Sequence, residues 1–238
     1  MLLLDVGNSR IKWALADGAA WVRQGAAGID EWVTVHREFA TLPPPHRILV
    51  SNVAGPQAAQ HVRAACAAWP CPVEFVSAKA EQCGVRNTYA QPAQLGSDRW
   101  AALIAAWRQV RAACLVVNCG TATTVDALTD AGEFFGGLIL PGMHMMRRSL
   151  AENTAQLAAT EGVWREFPRN TPDGIFSGAI QATAGAIRQQ FELLGVAGAP
   201  CLLSGGAADS VQPHIKLASV RVDNLVLRGL QTIGQESI

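Results

Sequence analysis

The sequence predicts an α/β protein built from two halves that repeat one βββαβα core, and three observations lead there. The segment 2–15, LLLDVGNSRIKWAL, lies without gaps over 115–128, LVVNCGTATTVDAL. In each copy three apolar residues precede Asp5 or Asn118, a glycine follows two places later, small polar residues come next, and Ala-Leu closes the segment. Asp17 and Asp130 then coincide, and a turn and another strand pattern follow each copy. A strand, tight glycine turn and strand that recur half a chain later mark two copies of one supersecondary unit. The halves are placed at 1–114 and 115–238.

The elements follow in order. Leu2 to Val6 reads as a strand; Ile11, Trp13 and Leu15 alternate with polar or small residues; a third run starts at Trp21 after the Asp17-Gly18 turn signal, completing a meander. Ile29, Trp32, Val33, His36, Phe39 and Ala40 recur at helical spacing, and Pro43 to Pro45 stop that helix. Arg47 to Val53 reads as a strand, Pro56 to Trp69 as a helix, Pro72 to Val76 as a strand and Ala93 to Ala113 as a helix opened by Gly-Ser-Asp. In the second half Glu133 to Leu140 follows the repeat as a strand, then helical stretches, a strand at Cys201 to Ser204 and a helix near Asn224 to Ile233.

Composition narrows the function. Half of the 238 residues are apolar, so burial is not limiting, and 19 basic residues balance 19 acidic ones. That balance argues against a nucleic-acid binder and gives no polybasic membrane surface; a small-molecule partner fits better. The six cysteines are scattered without CxxC or Cys/His clustering, which suggests neither a zinc site nor a disulfide framework. The apolar run at the N-terminus meets Asp5 at once and is too short for a signal or spanning segment. A cytoplasmic protein is expected.

The two turns suit phosphate chemistry. A nucleotide triphosphate needs donors without steric bulk, which a glycine turn offers as backbone N–H groups flanked by small side chains. The first copy supplies Gly7, Asn8 and Ser9, with Lys12 on the returning strand to meet a transferring phosphoryl group and Asp5 to hold hydrated Mg²⁺. The second supplies Gly120, Thr121, Ala122, Thr123 and Thr124, with Asp126 ending the run. Alone, the first turn reads equally as an ordinary hairpin loop, the second as a threonine-rich strand and Lys12 as a solvated strand residue; the pairing favours phosphate. Ser204-Gly205-Gly206-Ala207, after an apolar strand, is where a purine or ribose can lie on bare backbone, or a plain strand-to-helix turn. Gly96-Ser97-Asp98-Arg99-Trp100 offers a proton acceptor in Asp98 and a bidentate anion binder in Arg99. An aspartate in a first helical turn can equally be a cap.

Together, DVGNSRIKWAL from Asp5, Tyr89 followed by LGSDRW from Leu95, CGTATTVD from Cys119, GGLILPG from Gly136, NTPDGIFSGA from Asn170 and SGGAA from Ser204 resemble the type III pantothenate kinases, a family that includes proteins labelled Bvg accessory factors. The resemblance spans nearly the whole chain in the right order. It implies an actin-like fold of the acetate and sugar kinase superfamily with two ribonuclease H-like halves, a homodimer, and ATP-dependent phosphorylation of pantothenate, the first step of coenzyme A synthesis. By motif, Asp5, Val6, Gly7, Asn8, Ser9, Arg10, Ile11 and Lys12 form the first ATP loop, Thr121 is a second ATP contact, and Gly205 and Gly206 belong to an adenosine motif. Asp98 is the general base. Tyr89, Gly96, Ser97, Asp98 and Arg99 line the pantothenate pocket, with Thr171 reaching it from the neighbouring subunit; on its own, Thr171 before Pro172 reads as an N-cap or turn residue. Many members carry an acid where this chain has Asn118, associated in the family with a K⁺ or NH₄⁺ ion, so the monovalent-cation site is in question here.

Two other readings compete: a nucleotide-binding accessory or regulatory protein that has lost catalysis, and a kinase of another small hydroxylated metabolite. Retention of Asp5, Lys12, Asp98 and Arg99 together speaks against the first.

Overall fold

Leu2, Leu3 and Leu4 are all fully buried, which in a strand means that both faces are covered. Each such leucine contributes about 2 kcal/mol relative to exposure, so this run seeds a central strand. The computed structural model describes residues 1–153 and 161–236 and divides into two compact units, Met1–Gln109 with Asn224–Ile238, and Val110–Asp223.

In the first unit β1 (Leu2–Val6), β2 (Arg10–Asp17) and β3 (Ala20–Gly28) form an antiparallel meander. Helix α1 (Trp32–Phe39) leads to β4 (Ile48–Asn52), parallel to β1, and α2 (Pro56–Ala65) leads to β5 (Val73–Phe75), parallel to β4. The sheet order is β3-β2-β1-β4-β5. Leu2, Leu4, Val6, Ile11 and Trp13 share one core cluster with Val35 and Phe39 of α1 and Val62 of α2. A short hairpin, β6 (Glu81–Gln82) and β7 (Val85–Asn87), and a 3₁₀ turn at Pro92–Gln94 precede α3 (Ser97–Val110). The helix expected from Ala93 to Ala113 is therefore shorter at both ends, because Pro92 opens a separate turn and Cys114 already belongs to the next strand.

The second unit repeats the topology. β8 (Cys114–Cys119), β9 (Ala122–Leu128) and β10 (Glu133–Pro141) form its meander, followed by α4 (Met143–Asn153), α5 (Thr171–Leu194), β11 (Cys201–Ser204), α6 (Ala208–Ile215) and β12 (Ser219–Arg221). β11 runs parallel to β8 and β12 parallel to β11, so these strands follow the order β10-β9-β8-β11-β12, that of the first unit strand for strand. Leu115, Val117 and Cys119 pack on the helical layer through Ala179, Ile180 and Ile187 of α5 and Ala208, Val211 and Ile215 of α6. Helix α7 (Leu225–Glu236) belongs to the first unit. It is held there by the Arg47 guanidinium on the Gly234 carbonyl (3.0 Å) and the Trp21 indole N–H on Gln231 (2.8 Å). The fold is actin-like: one βββαβα core used twice.

Candidate active site

Antiparallel register sets the first cluster. Asp5 and Lys12 are direct partners across β1 and β2, which puts both side chains on one face at the mouth of the first glycine turn. The turn is closed by the Gly7 N–H on the Arg10 carbonyl (3.0 Å), and Gly7, Asn8, Ser9 and Arg10 rim it. Val6 and Ile11 are fully buried core residues, so they can offer a ligand only backbone. Asp5 is half-buried, and burial pushes its pKa from 3.8 up to about 7, with Lys12 lowering it and the charge of Asp98 raising it further.

Asp98 reaches that neighbourhood because α3 starts beside β4. Ser51, in parallel register with Asp5, is fully buried, and its hydroxyl lies 2.9 Å from that of Ser97. Asp98 follows in the first turn, its Oδ1 accepting from the Arg99 N–H at 2.8 Å. A Cβ on Gly96 would meet that oxygen at 2.6 Å, so glycine clears the aspartate's position. Arg99 is buried, and its Nη1 donates to the Tyr89 hydroxyl at 3.2 Å. Asn87 organises the tyrosine's loop: its Oδ1 accepts from the Tyr89 N–H (3.1 Å) and its Nδ2 donates to the Pro92 carbonyl (3.1 Å). The first unit thus gathers Asp5, Lys12, Ser97, Asp98, Arg99 and Tyr89 around the loop end of β1, β4 and α3. Ser51 and Asn87 are supporting residues that sequence reading does not single out.

The second unit gathers its own glycine turns. The Gly120 N–H bonds to the Ala122 carbonyl (3.1 Å), and Thr121 is exposed at the tip. Two neighbours brace this loop through bare backbone. Gly142 donates its N–H to the Thr121 carbonyl (2.9 Å) and packs so closely on Gly120 and Thr121 that no Cβ fits. Gly205, at φ +95°, is pressed against Cys119, whose carbonyl also accepts from the Ala207 N–H (3.1 Å). Gly206 is exposed with open space about its α-carbon. Asn118, half-buried, lies in register with Thr124 and Ser204. Among the described residues no group of three or more His, Cys, Asp or Glu side chains is placed to hold a metal.

Thr171 opens α5 and is exposed, and the cap is its predecessor: Asn170 Oδ1 accepts from the Asp173 N–H (2.9 Å). The Asp173 carboxylate accepts from the Val163 N–H (2.8 Å) and from the Asn170 amide (2.9 Å), contacts that hold its pKa below the usual range. With the capping done by Asn170, the Thr171 hydroxyl has no N-cap role.

The family model for type III pantothenate kinase matches residues 1–193. The chain belongs to the type III pantothenate kinase family. A type III pantothenate kinase of Aromatoleum aromaticum is 49% identical over 237 residues, covering 99% of this chain and 98% of the relative, and one of Nitrosospira multiformis is 46% identical over 240 residues, covering 100% and 92%. In fold, the chain is similar to the solved activator of 2-hydroxyisocaproyl-CoA dehydratase from Clostridium difficile with bound ADPNP, at TM-score 0.57 and 11% identity, covering 100% of this chain and 97% of that one.

A kinase of this family uses ATP, and among the residues present Asp5 suits the accompanying Mg²⁺. Burial raises the Asp5 pKa to about 7, so its carboxylate is under-compensated by its own protein, and a divalent cation would supply the missing charge.

Proposed function

We propose that this protein transfers the γ-phosphoryl group of ATP to the primary hydroxyl of pantothenate, yielding 4′-phosphopantothenate and ADP at the first step of coenzyme A synthesis. The observation that carries the assignment of roles is the convergence of Asp5, Lys12 and Asp98 at one loop end of the first unit, beside the buried Arg99 and its half-buried partner Tyr89. Asp98 takes the hydroxyl proton as the pantothenate oxygen attacks the γ-phosphorus and the bond to the ADP oxygen breaks. Lys12 and the N–H groups of the first turn offset charge on the transferring group. Asp5 would hold Mg²⁺, which supplies charge neutralisation of the phosphates. The Arg99 fork suits the pantothenate carboxylate, with Tyr89 orienting it. Thr121 contacts the phosphates and Gly205–Gly206 the adenosine.

The active form in this reading is a homodimer in which Thr171 serves the neighbour's pantothenate pocket, working in the cytoplasm; six free cysteines support a reducing compartment, and no described helix is long and apolar enough to cross a membrane. The test is direct: purified protein with Mg²⁺-ATP should phosphorylate pantothenate in preference to a panel of sugars, and sediment at twice the 25.2 kDa of the chain. Binding of pantothenate without product under varied nucleotides and cations would overturn the assignment.

Asn118 bears on cation dependence. An amide oxygen offers a dipole where a carboxylate offers full charge, so a K⁺ site built on this position is weakened. Turnover measured against K⁺ at constant ionic strength should be flat, since fixed salt removes changes due to screening, and Asn118→Asp should introduce a K⁺ response. A steep, saturable rise for K⁺ over Na⁺ in the parent protein would mean that the amide completes a working site.

A further inference from the structure

Arg221 ends the edge strand β12, where an arginine would ordinarily extend into solvent. Its guanidinium instead folds back under the double-glycine turn. Nη2 donates to the Gly205 carbonyl (3.1 Å) and pairs with Asp223 (3.2 Å); Nη1 donates to the carbonyls of Leu203 (3.3 Å) and Val222 (3.4 Å); Nε pairs with Asp209 (3.0 Å) in the first turn of α6. The arginine side chain is 28% exposed, whereas the two carboxylates are 78% and 75% exposed. Exposed ion pairs of this kind are worth little by themselves. The weight lies in the carbonyls: one planar fork ties the end of β11, the glycine turn and the chain leaving β12 into a fixed arrangement, which a lysine's single point of charge cannot do.

The turn that Arg221 holds is the one whose shape matters. Gly205 sits at φ +95° with its α-carbon against the Cys119 backbone, and the Ala207 N–H bonds to the Cys119 carbonyl at 3.1 Å. The turn is thereby packed and hydrogen-bonded directly onto Cys119, the residue before the Gly120–Thr121 loop. Arg221 holds the turn at the Gly205 carbonyl and has no hydrogen bond to Gly206, which is exposed with open space about its α-carbon.

We infer that Arg221 is a positioning residue for the nucleotide: it clamps the Gly205–Gly206 turn in the shape that receives the adenosine of ATP, and so governs ATP affinity rather than phosphoryl transfer or pantothenate binding. The inference rests on the reading of that turn as the adenosine site, and the experiment separates the two. Gly206→Val fills the open space without touching the clamp; Arg221→Met removes the clamp without filling the space. Both variants should raise KM for Mg²⁺-ATP about ten-fold, the size of effect that losing one or two charge-assisted hydrogen bonds produces, with kcat and KM for pantothenate within about two-fold of the parent. Arg221→Lys should fall between parent and Arg221→Met. If Gly206→Val leaves the ATP KM unchanged, the adenosine reading fails and the clamp with it. If Gly206→Val raises it and Arg221→Met does not, the turn binds nucleotide but Arg221 does not position it. Equal rises in both substrates' KM, or a fall in kcat alone, would reduce Arg221 to general support of the fold. Should Arg221→Met be insoluble, Asp209→Asn at the exposed end of the clamp decides the matter, with a rise in ATP KM of about three-fold expected and no change counting against the proposal.

Discussion

Replacing Asp98 with asparagine should lower kcat by about 10²–10⁴ while leaving the fold and ATP binding in place. The substitution is chosen for what it keeps. Asparagine retains the Oδ1 that accepts the Arg99 N–H at 2.8 Å and fits the space left by Gly96, so the first turn of α3 stays satisfied. What it loses is the basic oxygen to which the proposed mechanism assigns the pantothenate proton. It also removes a negative charge that raises the pKa of Asp5, so the variant's Asp5 should ionise at lower pH. The measurements are steady-state turnover, a melting curve, and binding of a non-hydrolysable ATP analogue. A drop in stability with unchanged activity per folded molecule would make Asp98 a cap and nothing more.

Much of the fold is legible in the sequence because the repeat is carried by short-range patterns. Apolar runs before Gly7 and Gly120, the alternation through Trp13 and the helical spacing from Trp32 to Phe39 each coincide with an element of the structure. The ungapped alignment of the two copies nonetheless slips at the turn. Val6 pairs with Ile11 across the first turn, but Cys119 pairs with Thr123 across the second, which is one residue tighter. The structural counterpart of Lys12, opposite Asp5, is therefore Thr124, opposite Asn118, and not Val125. Because side chains alternate along a strand, that single residue decides whether a side chain faces the helical core or the opposite surface. Val125 pairs with Val117 and shares the core cluster with it and Cys119, a placement that only the strand pairing fixes.

The candidate site divides the same way. Residues in local motifs, Asp5 to Lys12 and Gly96 to Arg99, can be read because a glycine turn or a helix start announces them. Ser51 cannot: one serine in the apolar run ILVSN gives no sign that its hydroxyl meets Ser97 46 residues on. Asn87 leaves a faint signal, an amide placed to bond the N–H two residues ahead, as asparagine does in turns. The hairpin β6–β7 that carries it has strands too short for any periodicity. Arg221 lies in no local motif, and only the return of the chain to the glycine turn gives it carbonyls to hold.

Asp5→Asn should lower turnover by about 10² or more while making the ligand-free protein more stable at pH 8. The two effects have one cause. With a pKa of about 7 in the folded protein against 3.8 for the free group, Asp5 binds more protons folded than unfolded between those values. Stability from this group is therefore greatest below about pH 4 and falls as pH rises toward 7, where burying the charged form opposes folding. Asparagine has no charge to bury. Allowing for the solvent that still reaches a half-buried group, the gain at pH 8 should be about 1–3 kcal/mol, several degrees in Tm for a chain of this length. It should nearly vanish near pH 4, where Asp5 in the folded protein is protonated and as uncharged as asparagine. If Asp5 holds the cation as proposed, adding Mg²⁺-ATP should narrow the gap at pH 8, because the cation gains a ligand only where position 5 carries a carboxylate. Melting curves at pH 4 and pH 8, with and without Mg²⁺-ATP, and turnover at pH 8 measure all of this. An Asp5→Asn protein that is less stable than the parent at pH 8, or that turns over at the parent's rate, would remove Asp5 from the metal site and make its carboxylate a structural one.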